Sequence, residues 1–249
     1  MSTATKTKVR SGYEKWQDGI DSAVGNVKWD VYDCEIQLAI SEIDRHLSGV
    51  AGYRPLDWQL IKAMAWTETG ANNDFWKYNP MQIGMYNSDP GLSALLYGNE
   101  GGDLILPSTW KARLNRSSVT TIPAHNIRAG IGYLLMKIAN FAVKSVLDED
   151  TKIYTATVKA GDSLDKLAKL HGSTVEVMKK LNPLAQVLHP GQVVNYQKAS
   201  IKKVIVGWKP ITASTIGSNY NGTGDSLYVK KFNYALNALR KVKVGSCSR

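Results

Sequence analysis

The chain has 249 residues, enough for one or two domains with full hydrophobic cores, and its 43% apolar and 21% charged residues are ordinary for a globular protein. No stretch approaches the roughly 18 uncharged apolar residues that a membrane span needs, so an integral membrane protein is excluded. The net charge of +10 is unevenly placed: residues 1–150 hold 15 Lys and Arg against 17 Asp and Glu, while residues 151–249 hold 16 against 4. Such a basic second part suggests attraction to a polyanion, whether nucleic acid, anionic lipid or cell-wall polymer.

The first twenty residues are basic but lack an apolar stretch and a small-residue cleavage site, so no secretory signal peptide is read there. Residues 35–47 place Ile36, Ile40, Ile43 and Leu47 at helical steps. A second helix is expected over 57–69, opened by Asp57 and stopped at Gly70, with Leu60, Ile61, Met64 and Ala65 inward. The stretch from Gly70 to Pro107 is rich in Gly, Asn and Pro and reads as a long functional loop. Residues 126–147 read as one long buried helix, and residues 226–241 as a last helix carrying Phe232, Ala235, Leu236 and Leu239. The two cysteines, Cys34 and Cys247, are too few for a disulfide framework; free thiols are expected, with one bridge as the alternative.

Residues 153–196 have a different texture. IYTATV alternates like a strand, Gly161-Asp162-Ser163 turns into a helix ending at Gly172, Thr174 opens another, and Asn182-Pro183 breaks it before the strand QVVNY. Polar runs at 148–152 and 197–200 read as linkers. The whole segment, YTATVKAGDSLDKLAKLHGSTVEVMKKLNPLAQVLHPGQVV, resembles a LysM module. That resemblance implies binding of N-acetylglucosamine units of peptidoglycan or chitin. The groove would lie between Gly161, Asp162, Ser163 and Leu164 on one side and Asn182, Pro183, Leu188, His189 and Pro190 on the other. Asp162 and Ser163 also suit helix capping, and Asn182-Pro183 helix termination.

Glycoside cleavage needs a carboxylic acid still protonated near neutral pH. Glu68 is in register with Leu60 and Met64 at the last turn of its helix, where partial desolvation and the helix dipole both raise a carboxyl pKa. The runs IKAMAWTETG, NPMQIG, NIRAGIGYLLMKI and SNYNGTGDSLYVKKFNYAL, in that order, resemble the motifs of soluble lytic transglycosylases, relatives of goose-type lysozyme. The resemblance covers residues 57–143 and 217–236. It implies that Glu68 is the acid/base and that Tyr220 hydrogen-bonds near it with Asn221 behind. It also implies that Thr69, where the family has Ser, keeps a hydroxyl alongside, and that Met81 and Gln82 line the cleft against the sugar and its acetamide. Asn79-Pro80 replaces the family's Gly-Leu, which removes an amide donor.

Goose-type lysozymes carry an Asp soon after Met-Gln, whereas the residue two after Gln82 here is Gly84. That favours a single-carboxylate route giving 1,6-anhydro products. A hydrolytic route would recruit Asp89, Glu100 or Asp103 as a second carboxylate, roughly 6.5–9.5 Å from Glu68 in an inverting enzyme. The expected architecture is mostly α: a lysozyme-like helical domain (1–150 and 200–249) with an inserted small βααβ LysM domain (151–199). The expected activity is cleavage of the β-1,4 bond from N-acetylmuramic acid to N-acetylglucosamine, by a monomer that needs no cofactor or metal and binds glycan strands rather than nucleic acid. An inactive glycan-binding protein is the alternative. Without a signal peptide, the protein would be made in the cytoplasm and reach the periplasmic wall as a phage endolysin through a holin, or as an effector injected by a contact-dependent secretion machine. The second route implies a cognate immunity protein.

Overall fold

The computed structural model describes residues 9–85, 89–98, 100–222, 224–241 and 247. These form α1 (Gly12–Ala23), α2 (Val27–Asp30), α3 (Asp33–Leu47), α4 (Trp58–Glu68), a 3₁₀ turn (Asp74–Lys77), α5 (Pro90–Tyr97), α6 (Gly102–Ile105), α7 (Ser108–Lys111), α8 (Arg116–Thr121) and α9 (Pro123–Ile138). There follow β1 (Ala139–Leu147), β2 (Tyr154–Thr157), α10 (Leu164–His171), α11 (Val175–Leu181), β3 (Val193–Tyr196), β4 (Ala199–Trp208), α12 (Ala213–Ile216), a π turn (Gly217–Asn221) and α13 (Tyr228–Arg240). The protein is thus mostly helical. Among the described residues, no helix is long and apolar enough to cross a membrane.

The chain divides into two compact units, one built from residues up to Asn140 and from Gly207 onward, the other from Phe141–Val206. The second is longer than the 151–199 expected, because the helix read over 126–147 ends at Ile138 and the chain continues as β1, which pairs with β4. The polar runs beyond β1 are not free linkers: Asp148 N–H donates to the Lys198 carbonyl at 3.0 Å. The Gly70–Pro107 stretch is likewise more ordered than a loop, holding the 3₁₀ turn, α5 and α6. Asp89 caps α5, with Pro90 preset in its first turn.

In the helical unit, α4 is buried on most sides, with Ile61, Ala63, Met64, Ala65 and Trp66 all at 1% exposure or less. Even Lys62 is 2% exposed, and its ammonium lies 2.5 Å from Asp30 and 2.7 Å from Asp33, between the rings of Trp58 and Trp66. A buried cation is tolerable only when paired in this way. Gly70 stops the helix with φ +70°, and a Cβ there would come within 2.7 Å of the Trp29 ring, so position 70 requires glycine on both counts. Arg128 on α9 bridges Glu35 and Glu42 of α3, and Glu42 also accepts from the Trp110 indole at 2.7 Å. The chain leaves and re-enters this unit at adjacent points, since Lys209 N–H donates to the Ile138 carbonyl at 2.8 Å. Cys34 and Cys247 form a disulfide, which corrects the expectation of free thiols; 212 intervening residues had hidden their proximity.

Asn126 is fully buried and organises the connection after the 3₁₀ turn. Its Oδ1 accepts from Met81 N–H at 2.8 Å, while its Nδ2 is shared among Asn79 Oδ1 and the carbonyls of Ile83 and Val119, at 2.9–3.2 Å. Replacing it with an apolar residue strands several buried polar groups at once. Asn126→Leu is expected to cost this unit about 3 kcal/mol or more. Urea unfolding followed by tryptophan fluorescence checks this, because all seven tryptophans lie in the helical unit.

Candidate active site

Glu68 is the last residue of α4, where the helix's apolar face meets a cleft of about 400 Å³ lined by Gln82, Asp89, Tyr133, Tyr220 and Asn221 among others. The residue as a whole is half-buried, but its Oε1 is sealed from solvent and has no hydrogen-bond partner. Burial raises the carboxyl pKa to about 7; the nearby Tyr228 phenol pulls it down and the charge of Asp225 pushes it up. Glu68 therefore holds a proton close to neutrality. Its position at the C-terminal end of a helix acts in the same direction.

Facing it is the irregular segment held by Asn126. Gln82 adopts φ +49°, a left-handed conformation that costs a non-glycine residue roughly 1–2 kcal/mol, and its side-chain amide donates to the backbone carbonyl of Glu68. Strain of this kind persists only where the surroundings hold it, and here the Met81 and Ile83 backbones are both tied to Asn126. The Tyr220 hydroxyl donates to the Met81 carbonyl at 2.9 Å, and its ring meets Tyr133 edge-on at 5.4 Å. Burial first, and then the charge of Glu68, push the Tyr220 phenol far above its usual range. It therefore stays protonated and serves as a neutral wall and donor.

Glu68, Gln82, Asp89, Tyr220 and Asn221 share this cleft; the other residues singled out from sequence lie elsewhere. Met81 is 0% exposed, and its side chain packs against Gly130 so closely that a Cβ there would fall 2.8 Å away. Its side chain does not line the cleft as expected, and only its carbonyl takes part. The Thr69 hydroxyl donates to the Asn79 carbonyl at 3.1 Å, tying the helix end to the loop rather than facing a sugar. Glu100 pairs with Lys137 at 2.9 Å on the surface and Asp103 is exposed in the first turn of α6, so neither reaches the cleft. Both carboxyl oxygens of Asp89 are occupied, one by Leu92 N–H at 2.9 Å and one by Gly84 N–H at 2.6 Å. Among the described residues, no group of three His, Cys, Asp or Glu could hold a metal ion.

Two residues near Glu68 were missed. Tyr228 opens α13 at 3% exposure, and burial raises its phenol far above the usual range. Asp225 accepts from Lys231 at 2.7 Å and from Leu227 N–H at 2.8 Å. Tyr228 falls four residues before Phe232 on the buried stripe of the last helix, and a hydroxyl on an apolar stripe was the available signal.

In the second unit, β2 and β3 pair antiparallel with Tyr154 opposite Tyr196 and Thr157 opposite Val193. They enclose Ala156, Val158, Leu167, Ala168, Met178 and Val194, with Leu164 and Leu188 packed against this core. Gly161 (φ +82°) makes the turn, Asp162 accepts from Lys159 N–H at 2.7 Å and Ser163 caps α10. Asn182 donates to the Asn195 carbonyl and accepts its N–H, fastening α11 to β3. Pro183, His189 and Pro190 are exposed. The two loops emerge from the same end of the hairpin, since Val158 bonds to both Gly191 and Gln192.

Comparison with known proteins assigns this part of the chain: residues 156–195 match the LysM domain family. The protein therefore carries a domain for peptidoglycan- or chitin-type glycans. No curated protein and no solved structure matches the chain.

The raised Glu68 pKa carries a stability consequence. The folded protein retains this proton up to about pH 7 whereas an unfolded glutamate releases it near 4.5, so the stability that the protonated form supplies is lost as pH rises through that interval. Glu68→Gln removes the titration. It should match the wild type in urea unfolding at pH 4 and exceed it at pH 8 by on the order of 3 kcal/mol, reported by tryptophan fluorescence.

Proposed function

We propose that the protein is a peptidoglycan muramidase that cleaves the β-1,4 bond between N-acetylmuramic acid and N-acetylglucosamine, with Glu68 as general acid and then base. The observation that carries this reading is a carboxyl group protonated near neutrality in the wall of an open cleft, in a chain that also holds a glycan-binding domain. The helical unit is proposed to be lysozyme-like on the order of its four motifs. Glu68 gives its proton to the leaving glycosidic oxygen as the anomeric carbon develops positive charge. The resulting carboxylate then takes a proton from the attacking hydroxyl. Tyr220 and the Asn126-held segment keep Gln82 and the cleft wall in place, and the glycan-binding domain raises the local concentration of strands.

The attacking group in this reading is the muramoyl 6-hydroxyl, giving 1,6-anhydro products. Of the three candidate second carboxylates, Asp89 alone lines the cleft, and its oxygens are spent on backbone amides of α5 and Gly84. Hydrolysis through Asp89 is the second reading, favoured by that shared cleft. The Cys34–Cys247 disulfide suits an oxidising compartment, in keeping with work at the periplasmic wall after delivery from the cytoplasm.

Glu68→Gln is expected to lose a thousandfold or more in clearing of sacculi, given that acid-base terms alone supply roughly 10²–10⁴. Near wild-type clearing by this variant overturns the assignment. Mass spectrometry should find muropeptides lighter by one water, and Asp89→Asn should leave that product unchanged. Reducing-end muramic acid that disappears in Asp89→Asn would make the enzyme a hydrolase. Replacing residues 141–206 by a short Gly/Ser linker should leave a folded protein that no longer sediments with insoluble peptidoglycan.

A further inference from the structure

A cavity of about 590 Å³ opens at the start of α4, the opposite end of that helix from Glu68, and every residue that lines it belongs to the helical unit. Leu60, Leu135 and Ile138 give it an apolar wall, and two rings complete that wall, Tyr53 meeting Trp208 edge to face at 5.2 Å. The lining is fixed in place. Asp44 accepts from the Tyr53 hydroxyl at 2.6 Å and from Leu56 N–H at 3.3 Å, and Lys209 N–H is bonded to the Ile138 carbonyl. Preformed cavities of this size, mostly apolar with a few placed polar groups, are the usual form of a ligand site.

The polar groups define what fits. Arg54, Lys209 and Arg240 bring three positive charges, and Asp57 is the acid that answers them, 3.0 Å from Arg240. The Lys209 ammonium is held by neutral acceptors, the Lys137 carbonyl at 3.2 Å and Asn219 Oδ1 at 2.8 Å, so its charge is positioned without being cancelled. Arg54 is exposed, and its side chain makes no hydrogen bond or ion pair among the described residues. The Trp208 indole N–H is buried without an acceptor, which is costly for a polar group. The matching occupant is an anion that carries small alkyl groups for the apolar wall and a neutral carbonyl for the indole. A neutral glycan lacks the charge, and a phosphate polymer lacks the alkyl groups.

We propose that this cavity is a second wall-binding site, which takes the carboxylate end of an N-acylated dipeptide of small residues, the chemistry of peptidoglycan stem peptides. The choice of peptide rests on the muramidase reading. The carboxylate pairs with Arg54 and Lys209, and the side-chain methyls lie against Leu60, Leu135 and Ile138. The peptide carbonyl accepts from Trp208 after a small turn of that ring, since Nε1 is sealed from solvent as the ring stands. Charge-assisted hydrogen bonds to the carboxylate supply most of the selectivity. The site lies about 15 Å from Glu68 along the eleven-residue α4, so it holds a stem peptide away from the bond being cut and keeps the enzyme on peptide-bearing wall.

The test uses the full-length protein and N-acetyl-D-alanyl-D-alanine, followed through the ¹H–¹⁵N resonance of the Trp208 indole, which Trp208→Phe identifies by its loss. A saturable downfield movement of the indole proton is expected. The same peptide with its carboxylate amidated should bind about tenfold more weakly or worse, because the charge-assisted contacts are removed. Arg54→Glu alters an exposed side chain with no partner to lose, and should weaken binding of the acid by about tenfold or more while the amide changes little. The comparison of acid with amide carries the test alone if that variant does not fold. The absence of a saturable shift overturns the proposal, and so does equal affinity for acid and amide. A resonance that answers to an N-acetylglucosamine oligomer and not to the peptide also overturns it. Selective binding of the acid by a protein that leaves sacculi intact supports the site and overturns the muramidase reading; clearing that is lost in Glu68→Gln, without peptide selectivity, supports that reading and overturns the site.

Discussion

The cleft depends on one buried amide. Asn126 sits in the first turns of α9 with no exposure, and its side chain replaces the backbone partners that an irregular segment lacks. A chain passing through a protein interior outside a helix or sheet must satisfy each N–H and C=O individually. Here one side chain does so for Met81, Ile83 and Val119 and holds Asn79 as well. Given that anchor, Pro80 can replace a residue with an amide, Gln82 can stay in a left-handed conformation, and the Met81 carbonyl can receive Tyr220 from far along the chain. Removing the amide would release all of these together.

Glu68 shows the opposite economy. Its neighbours leave it a proton at neutral pH chiefly by keeping water away, and the same burial makes the ionised form unfavourable for the fold. The Tyr228 phenol at the start of α13 opposes that effect and the charge of Asp225 just before it adds to it, so residues far along the chain modulate what burial sets. The helix supplies the position of the carboxyl, and its burial, adjusted by residues from the far end of the chain, sets its proton affinity.

How legible this was depended on sequence distance. The stripes of α3, α4 and α13 could be read because each is a local periodicity, and the LysM segment because its turns and breaks follow in a compact order. The end of α9 could not: Ile138 to Leu147 is apolar enough to prolong a helix, and only pairing with β4, some sixty residues later, makes it a strand. Met81 looked like a cleft residue because Met-Gln is a contiguous motif, yet the glycine at 130 that receives its side chain lies on another helix. The Cys34–Cys247 disulfide and the placement of Asp225 and Tyr228 beside Glu68 are contacts across most of the chain, and no local spacing reports them. Asp89 was read both as a turn cap and as a carboxylate of the cleft. It is a cap that lines the cleft.

The adjacency of Ile138 and Lys209 also bears on when the cleft comes into being during synthesis. The residues that complete the surroundings of Glu68, from Tyr220 to Lys231, leave the ribosome only after the entire glycan-binding unit has been made. At ordinary elongation rates roughly ten to thirty seconds pass between the synthesis of Glu68 and that of Lys231. Until then, the Glu68 carboxyl lacks the full set of Tyr220, Asp225 and Tyr228 neighbours it has in the complete fold. The insertion point thus makes the raised proton affinity of Glu68 the last property the nascent chain acquires, and a truncated product ending anywhere before α12 carries the glutamate without Tyr220, Asp225 and Tyr228 around it.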